Sequence, residues 1–287
     1  MKIETATVLG FCFGVRRAID IVAQDAEKHG PLETFGTTVH NPYVINDLEK
    51  QGAKVVGSLD DVETGTVAIT AHGVGEEIYQ VIEEKGYRLV DTTCPIVSKA
   101  QREAHRLIDE GFQMILYGEA DHKEVRGVLG WAQGKAIAIM DPKADVPIPR
   151  RKVALISQTT KGPESFIHFI SEFLTHNMDR INEVRIVNTT CPETNERYAA
   201  AQELATRADL LIVIGGKHSA NTRKLAETCR KTGVETYHIE SADEIQPEWV
   251  VGKQHVGVTA GASTPDASID AVVERLGGLS KALEEGR

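Results

Sequence analysis

The stretch 91–101, DTTCPIVSKAQ, decides the fold because its tetrapeptide TTCP returns in 188–198, NTTCPETNERY. The chain has only 4 cysteines in 287 residues, so a shared context for two of them indicates an internal repeat. After each tetrapeptide come an amphipathic run and an apolar strand, which ends at Gly118 in one case and at Gly215 in the other. Both glycines stand 24 residues after the cysteine of their motif, so the repeated unit is much longer than the motif.

A third copy of the unit lies at the N-terminus. Cys12 follows a strand-like segment and precedes a helical run, and Gly36 again stands 24 residues after it. Each unit then continues in step, with a helical run, a short strand, an apolar strand whose end is polar, and a last helix. The third unit ends before the strand that leads into the next cysteine in the other two. The N-terminal segment 2–10 can supply that strand.

Strands that alternate with helical runs predict an α/β fold with mostly parallel sheets and right-handed crossovers. We expect three α/β units related by a pseudo-threefold axis. Their bounds are 13–92, 93–188 and 189–287, and the N-terminal strand in 1–12 completes the third. Ligands of parallel sheets gather beyond the carboxyl ends of the strands, which is where the repeated cysteines stand.

Charge and hydropathy exclude several classes of partner. The net charge is −10 and no basic stripe or tail is present, so the long-range field repels nucleic acid and anionic membranes. The N-terminus has no charged segment followed by an apolar one, and no apolar run approaches the ~20 residues that cross a bilayer. We expect a cytoplasmic monomer that binds an anion only through a local site.

The repeated cysteines predict a metal centre. Stacking of the units about their axis would bring Cys12, Cys94 and Cys191 together, which outweighs the usual role of a single cysteine as a buried packing residue. The close spacing of structural zinc ligands is absent, whereas iron–sulfur clusters accept thiolates that are remote in sequence. We expect one central 4Fe-4S cluster with three cysteine ligands and one iron open to a substrate oxygen. Cys229 has no counterpart in the other units and is interpreted as a packing residue.

Polar side chains recur at the same strand ends. Ser, Thr and Asn before a helix usually cap it, and capping is the stronger interpretation for Thr160 and Ser263. Three histidines at such positions instead favour a phosphate or diphosphate site, in which imidazoles, hydroxyls, an amide and helix N-termini converge. The residues of this predicted set are His40, His72, His122, Glu124, Thr159, Thr160, Ser219, Asn221 and Ser263.

Glu124 is the one carboxylate in that set, and two interpretations are open for it. A glutamate at a helix start is often solvated and is favoured by the helix dipole. If Glu124 is instead buried beside the cluster, desolvation would raise its pKa and let it deliver protons, with Thr159 as a relay partner.

Short motifs from one end of the chain to the other carry a family likeness. They are GFCFGV (10–15), VHNPYV (39–44), TAHGV (70–74), DTTCP (91–95), HKEV (122–125), SQTT (157–160), SANT (219–222) and GASTPD (261–266). In this order they resemble the 4-hydroxy-3-methylbut-2-enyl diphosphate reductase (LytB/IspH) family. The resemblance implies three α/β domains around an iron–sulfur cluster held by Cys12, Cys94 and Cys191.

The resemblance also implies an activity. The family removes the allylic hydroxyl of its diphosphate substrate as water, with two electrons and two protons, in the last step of the methylerythritol phosphate route to isoprenoids. The products are isopentenyl and dimethylallyl diphosphates, and ferredoxin or flavodoxin would supply the electrons. By resemblance, Glu124 and Thr159 serve proton delivery. The resemblance implies that the diphosphate is bound by His40, His72, His122, Thr160, Ser219, Ala220, Asn221 and Ser263.

Three positions depart from the family pattern. Ala220 stands where many relatives carry a second serine, although its backbone N–H could still donate to the substrate. Glu193 and Tyr198 stand where a small residue and a glutamine are more common. These departures concern substrate affinity and domain packing, and the cysteines are unaffected.

Two alternatives stay open beside the reductase. An iron–sulfur reductase or dehydratase acting on a related allylic phosphate would keep the cysteines and Glu124 but tolerate other phosphate contacts. A non-catalytic redox sensor with a labile cluster would explain the cysteines alone. It gives no reason for the histidines, and the chain lacks a basic DNA-binding segment.

Overall fold

A computed structural model describes residues 1–39, 42–149 and 151–285. Within these ranges the strands form three four-stranded sheets, and hydrogen-bonded neighbours run parallel throughout. The strands, in chain order, are β1 (Lys2–Thr5), β2 (Leu32–Phe35), β3 (Ala53–Val56), β4 (Thr66–Ile69), β5 (Arg88–Asp91), β6 (Gln113–Tyr117), β7 (Ala136–Ile139), β8 (Lys152–Ser157), β9 (Glu183–Ile186), β10 (Leu210–Ile214), β11 (Glu235–Ile239) and β12 (His255–Ala260).

Most consecutive strands are connected by an α-helix, which is the usual crossover between parallel strands. No helix in the described ranges is both long enough and apolar enough to cross a membrane. In chain order the α-helices are α1 (Phe13–His29), α2 (Pro42–Lys50), α3 (Glu76–Glu84), α4 (Pro95–Asp109), α5 (Lys123–Gly130), α6 (Pro163–Asn177), α7 (Pro192–Ala205), α8 (Ala220–Arg230) and α9 (Asp266–Glu285).

The three sheets share one strand order. They run β3-β2-β4-β5, β7-β6-β8-β9 and β11-β10-β12-β1. The N-terminal strand β1 therefore occupies, beside β12, the position that β5 and β9 hold in the other sheets. The predicted α/β class, with three units built on parallel sheets, is confirmed.

The described residues fall into two compact units. One is drawn from Met1–Arg16, Val39–Val44 and Pro192–Arg287 and contains the sheet with β1. The other is drawn from Arg17–Thr38 and Ile45–Cys191 and contains the remaining two sheets. Division into three domains at 13–92, 93–188 and 189–287 stays a prediction.

A repeated backbone bond follows β2, β6 and β10, which hold the same position in the three sheets. The glycine that stands 24 residues after each repeated cysteine donates its N–H to the last carbonyl of the neighbouring strand. The pairs are Gly36 to Val56 (2.9 Å), Gly118 to Ile139 (3.1 Å) and Gly215 to Ile239 (2.9 Å). The spacing found in the sequence therefore marks the same point in each sheet.

The central strands are largely buried on both faces, as is usual in parallel sheets. All five residues of β10, for example, are buried. Beside β8, helix α6 adds an aromatic stack in which the Phe169 ring lies 4.6 Å from that of Tyr117 and 5.9 Å from that of Phe173, centre to centre. The ring of Tyr117, the last residue of β6, is thus packed against α6.

Replacing Phe169 with alanine should lower the free energy of unfolding by about 3–5 kcal/mol, because the ring is 2% exposed and its removal leaves a cavity. Ile167 lies on the same helix and is 65% exposed, so Ile167→Ala should change stability by about 0.5 kcal/mol or less. Urea unfolding followed by circular dichroism measures both variants. Equal losses would contradict the assigned core.

Candidate functional site

Each repeated cysteine directly precedes a helix. Cys12, Cys94 and Cys191 lie one residue before α1, α4 and α7, and their thiols are half exposed. Cys229 is instead buried within α8, where burial raises the pKa of its thiol to about 11. Its interpretation as a packing residue is consistent with this position.

One backbone hydrogen bond fixes the three cysteines in the same way. Each cysteine N–H donates to the carbonyl that lies two residues beyond the end of an inner strand of its sheet. The bonds run from Cys12 to Ala262 after β12 (3.0 Å), from Cys94 to Ala71 after β4 (3.0 Å) and from Cys191 to Thr159 after β8 (2.7 Å).

Glu124 lies in the first turn of α5 and is 2% exposed, so the solvated interpretation does not hold. Its carboxylate accepts two hydrogen bonds from Thr159, one from the N–H (2.6 Å) and one from the hydroxyl (2.9 Å). Burial raises the pKa of Glu124, while the two bonds from Thr159 and the positive charge of Lys161 pull it down.

Thr159 connects this carboxyl to Cys191. Its N–H and hydroxyl bind Glu124, while its carbonyl accepts the Cys191 N–H. Burial raises the pKa of the Cys94 thiol, and hydrogen bonds from the first N–H groups of α4 lower it in part. The Cys191 thiol and the Glu124 carboxyl add smaller upward effects. The structure therefore brings four of the predicted site residues together at the carboxyl ends of two sheets.

Two of the three predicted histidines form a pair. The rings of His72 and His122 meet edge to face, with centres 5.9 Å apart. His122 caps α5, since its Nδ1 accepts the Glu124 N–H at 3.2 Å. Because Nδ1 of His122 accepts this bond, the proton of the neutral ring lies on Nε2. That nitrogen can donate to a ligand. His40 lies outside the described residues.

The other compact unit holds a second group of predicted residues. Ser219 caps α8 and accepts the Thr222 N–H at 3.3 Å, Ala220 is the first residue of that helix, and Asn221 is half exposed. Ser263 follows β12, which pairs with the strand preceding this segment, β10. Both segments thus lie at the carboxyl edge of one sheet.

Capping is the wrong interpretation for Thr160 and Ser263. Helix α6 begins at Pro163 with Gly162 as its cap, and the Thr160 hydroxyl accepts a bond from Gln158 instead (2.9 Å). Helix α9 begins at Asp266, three residues beyond Ser263. A proline near each helix start sets these boundaries, because proline favours the first turn of a helix.

Helix α5 touches the loop that carries His72. A Cβ added to Gly130 would lie 2.5 Å from the Gly75 Cα, and one added to Gly127 would lie 3.3 Å from the Gly73 carbonyl oxygen. Residues 71–75, here called the His72 loop, therefore lie directly on the glycine face of α5. This contact sets the spacing between His72 and the helix that carries His122 and Glu124.

The two departures near Cys191 both have structural partners. The Glu193 carboxylate accepts the Phe13 N–H with both oxygens (3.1 and 3.0 Å), so it caps α1 beside Cys12. An acidic group at a helix N-terminus is favourable. Tyr198 packs against an apolar cluster of α7 and α8, and burial raises its pKa to about 12.

The cysteine set suits an iron–sulfur group. Soft thiolates are the ligands that such clusters prefer, and the three half-exposed thiols sit in matching positions. Within the described ranges, no three His, Cys, Asp or Glu side chains are grouped to bind a single metal ion. A cluster does not need such a group, because each of its thiolates binds a different iron.

Comparison with known proteins identifies the family. The model of the family described as LytB protein matches residues 3–277. The chain belongs to the LytB family. Membership implies an iron–sulfur cluster, and it confirms the resemblance found in the sequence motifs.

Curated members of the LytB family are similar over nearly their whole length. A 4-hydroxy-3-methylbut-2-enyl diphosphate reductase of Dehalococcoides mccartyi strain CBDB1 is 44% identical over 282 residues, which cover 98% of this chain and 99% of the relative. The enzyme of the same name from Geobacter metallireducens is 40% identical over 277 residues, which cover 96% of this chain and 97% of the relative.

Two solved structures are also similar to this chain over most of its length. One described as (E)-4-hydroxy-3-methyl-but-2-enyl diphosphate reductase, the terminal enzyme of the non-mevalonate pathway, matches with a TM-score of 0.75 and 34% identity over 97% of this chain and 100% of its own. An E-1-hydroxy-2-methyl-but-2-enyl-4-diphosphate reductase from Plasmodium falciparum matches with a TM-score of 0.85 and 25% identity. The match covers 95% of this chain and 87% of that structure's chain.

Replacing Gly130 with alanine should lower the melting temperature, because the new methyl group would overlap the His72 loop and push it away from α5. Gly277 is the matched control, since it also lies in a helix but has no atom within 4 Å of an added Cβ. Gly277→Ala should be neutral or stabilising by up to about 1 kcal/mol. Thermal denaturation of both variants measures this, and a neutral Gly130→Ala would refute the close contact.

Proposed function

We propose that this protein is a 4-hydroxy-3-methylbut-2-enyl diphosphate reductase. It removes the allylic hydroxyl with two electrons and two protons, and gives water with isopentenyl and dimethylallyl diphosphates, as the last step of the methylerythritol phosphate route. The observation that carries the proposal is the buried Glu124 carboxyl, which Thr159 joins to the Cys191 backbone. The names of the full-length relatives support the same reaction.

The proposed cofactor is one 4Fe-4S cluster. Cys12, Cys94 and Cys191 would hold it, and the repeated hydrogen bond on each cysteine N–H supports an equal role for the three thiols. When bound, such a cluster supplies reducing electrons and, with three cysteine ligands, a Lewis-acidic iron. A ferredoxin or flavodoxin is the proposed electron donor, and the protein is proposed to act as a monomer.

Glu124 is the proposed proton donor. Loss of a hydroxyl as water requires a proton on the leaving oxygen, and formation of either product requires a second proton on an allylic carbon. Burial favours the neutral carboxylic acid, so Glu124 can hold a proton where an exposed glutamate would be ionised. When Oε2 carries that proton, the Thr159 hydroxyl can accept from it and act as a relay.

The diphosphate is proposed to bind through polar groups at strand ends and helix starts. The Nε2–H of His122 can donate to a phosphate oxygen, and the first N–H groups of α8 have no partner within the helix. These groups complement an anion on a chain whose net charge is negative. The proposed contacts are His40, His72, His122, Thr160, Ser219, the backbone of Ala220, Asn221 and Ser263.

The wild-type protein, purified without oxygen, provides the direct test. Mössbauer or EPR spectroscopy should show a four-iron cluster, and added 4-hydroxy-3-methylbut-2-enyl diphosphate should change the signal of one iron. Product analysis with a chemical reductant should give both five-carbon diphosphates. A protein with an intact cluster and no turnover of this substrate would contradict the proposed activity.

Replacing Glu124 with glutamine should lower kcat by a factor of roughly 10² or more, because the amide cannot supply the proton. The cluster spectrum and the iron content should stay unchanged. Glu33 is a matched control because it too is buried and accepts the N–H (3.3 Å) and hydroxyl (2.6 Å) of a threonine, Thr64, near the amino ends of its strands. Glu33→Gln should retain turnover; full turnover by Glu124→Gln would require another proton donor.

Replacing Lys161 with methionine should move the alkaline limb of the kcat/KM profile to higher pH by a fraction of a pH unit. The ammonium favours the ionised Glu124 and so lowers its pKa. Its removal raises that pKa, and the acid form then persists to higher pH. Lys143, an exposed lysine paired with Glu172, serves as the control. A shift to lower pH would exclude Glu124 as the group that titrates.

A further inference from the structure

The Val74 carbonyl is one anchor of the His72 loop. The Val74 oxygen accepts two side-chain hydrogen bonds, one from the Trp131 Nε1–H (3.0 Å) and one from the Gln101 amide (3.1 Å). Gln101 is a buried residue of α4, and Trp131 follows the last residue of α5. Both acceptor sites of one carbonyl oxygen are therefore used by side chains from separate elements.

The backbone of Gly73 forms a tight turn in this loop. Gly73 has a φ of +68°, in the left-handed region, and its N–H donates to Thr70 within the loop turn (2.9 Å). A Cβ on Gly73 would lie 2.5 Å from the Gln101 amide nitrogen, so this amide packs flat against the glycine backbone. Gln101 thus holds the loop through van der Waals contact with Gly73 as well as through its hydrogen bond to Val74.

The indole is itself held in place. Its ring meets those of Tyr79 and His105 edge to face, with centres 5.8 and 6.4 Å apart. Tyr79 lies in α3 and His105 in α4, so rings from two helices fix the direction of the Trp131 N–H. Aromatic contacts of this kind restrict a side chain to one orientation.

The anchored loop contains both a cysteine contact and a histidine. Its first residue, Ala71, accepts the Cys94 N–H, and its second, His72, faces His122 across 5.9 Å. Helix α5 lies beneath the loop, with His122 at one end and Trp131 at the other. The anchor at Val74 therefore fixes where the His72 imidazole stands relative to the start of α5.

We propose that Trp131 and Gln101 are positioning residues that hold His72 in place for the diphosphate through the Val74 carbonyl. The inference rests on the proposed function, since it assigns His72 a phosphate oxygen as partner. A ring held in its binding position before the ligand arrives lowers the cost of ordering it. Loss of either donor should weaken binding of the diphosphate and leave the cluster and the chemical step in place.

Trp131→Phe keeps an aromatic ring and removes the donor. We expect KM for 4-hydroxy-3-methylbut-2-enyl diphosphate to rise by roughly threefold to tenfold, the effect of one lost hydrogen bond. The value of kcat and the cluster EPR signal should change little. Gln101→Met, which keeps the side-chain length and removes the other donor, should act in the same direction.

Trp249→Phe is the matched control. Trp249 is the second of the 2 tryptophans, lies in the other compact unit and stacks on Tyr237 at 3.8 Å. This variant should keep the wild-type KM.

A double-mutant cycle separates positioning from general stability. In a His72→Ala background, Trp131→Phe should no longer raise KM, because the residue it positions is gone. An unchanged KM in both single variants, or an equal rise of KM in the His72→Ala background, would overturn the proposal while wild-type turnover persists. Absence of wild-type turnover would instead refute the proposed function itself.

Discussion

The hydrogen bond from each repeated cysteine N–H to a strand end is the constraint on which the site depends. It joins the chain entering a helix to the carboxyl edge of its sheet, so the backbone of each cysteine is held at that edge. Parallel strands place all their carboxyl ends at one edge, and a helix start directly beyond that edge has N–H groups that lack partners within the helix. A metal ligand and an anion contact can therefore arise from the same repeated turn.

Position in the sheet, rather than chemistry alone, distinguishes the two buried Glu–Thr pairs. Glu33 and Thr64 lie near the amino ends of their strands, where no cysteine or histidine of the repeats stands. Glu124 and Thr159 lie at the carboxyl ends, and the Thr159 carbonyl also receives the Cys191 N–H. Both carboxyls have a threonine partner inside the protein, but of the two threonines only Thr159 also accepts the N–H of a repeated cysteine.

The sequence was sufficient to predict the fold and the cysteine positions, because a repeat ties three distant segments to one geometry. The repeat does not set where each helix begins. The sequence pattern favours helix caps at Thr160 and Ser263, but prolines begin or precede the following helices farther along the chain. Trp131 and Lys161 belong to no repeated motif, and their roles depend on contacts across elements that spacing cannot reveal. The partner of Glu193, the Phe13 N–H, is 180 residues away in the chain.

Two predicted diphosphate contacts already cap helices, and this use does not compete with binding. The Ser219 hydroxyl accepts the Thr222 N–H, yet the same oxygen carries a proton that it can donate to a phosphate. His122 accepts the Glu124 N–H at Nδ1, which leaves the opposite nitrogen as a donor. Since capping fixes the acceptor side of each group, it orients the donor side before any ligand arrives. The helix starts can therefore be stable without substrate and still be directed toward an anion.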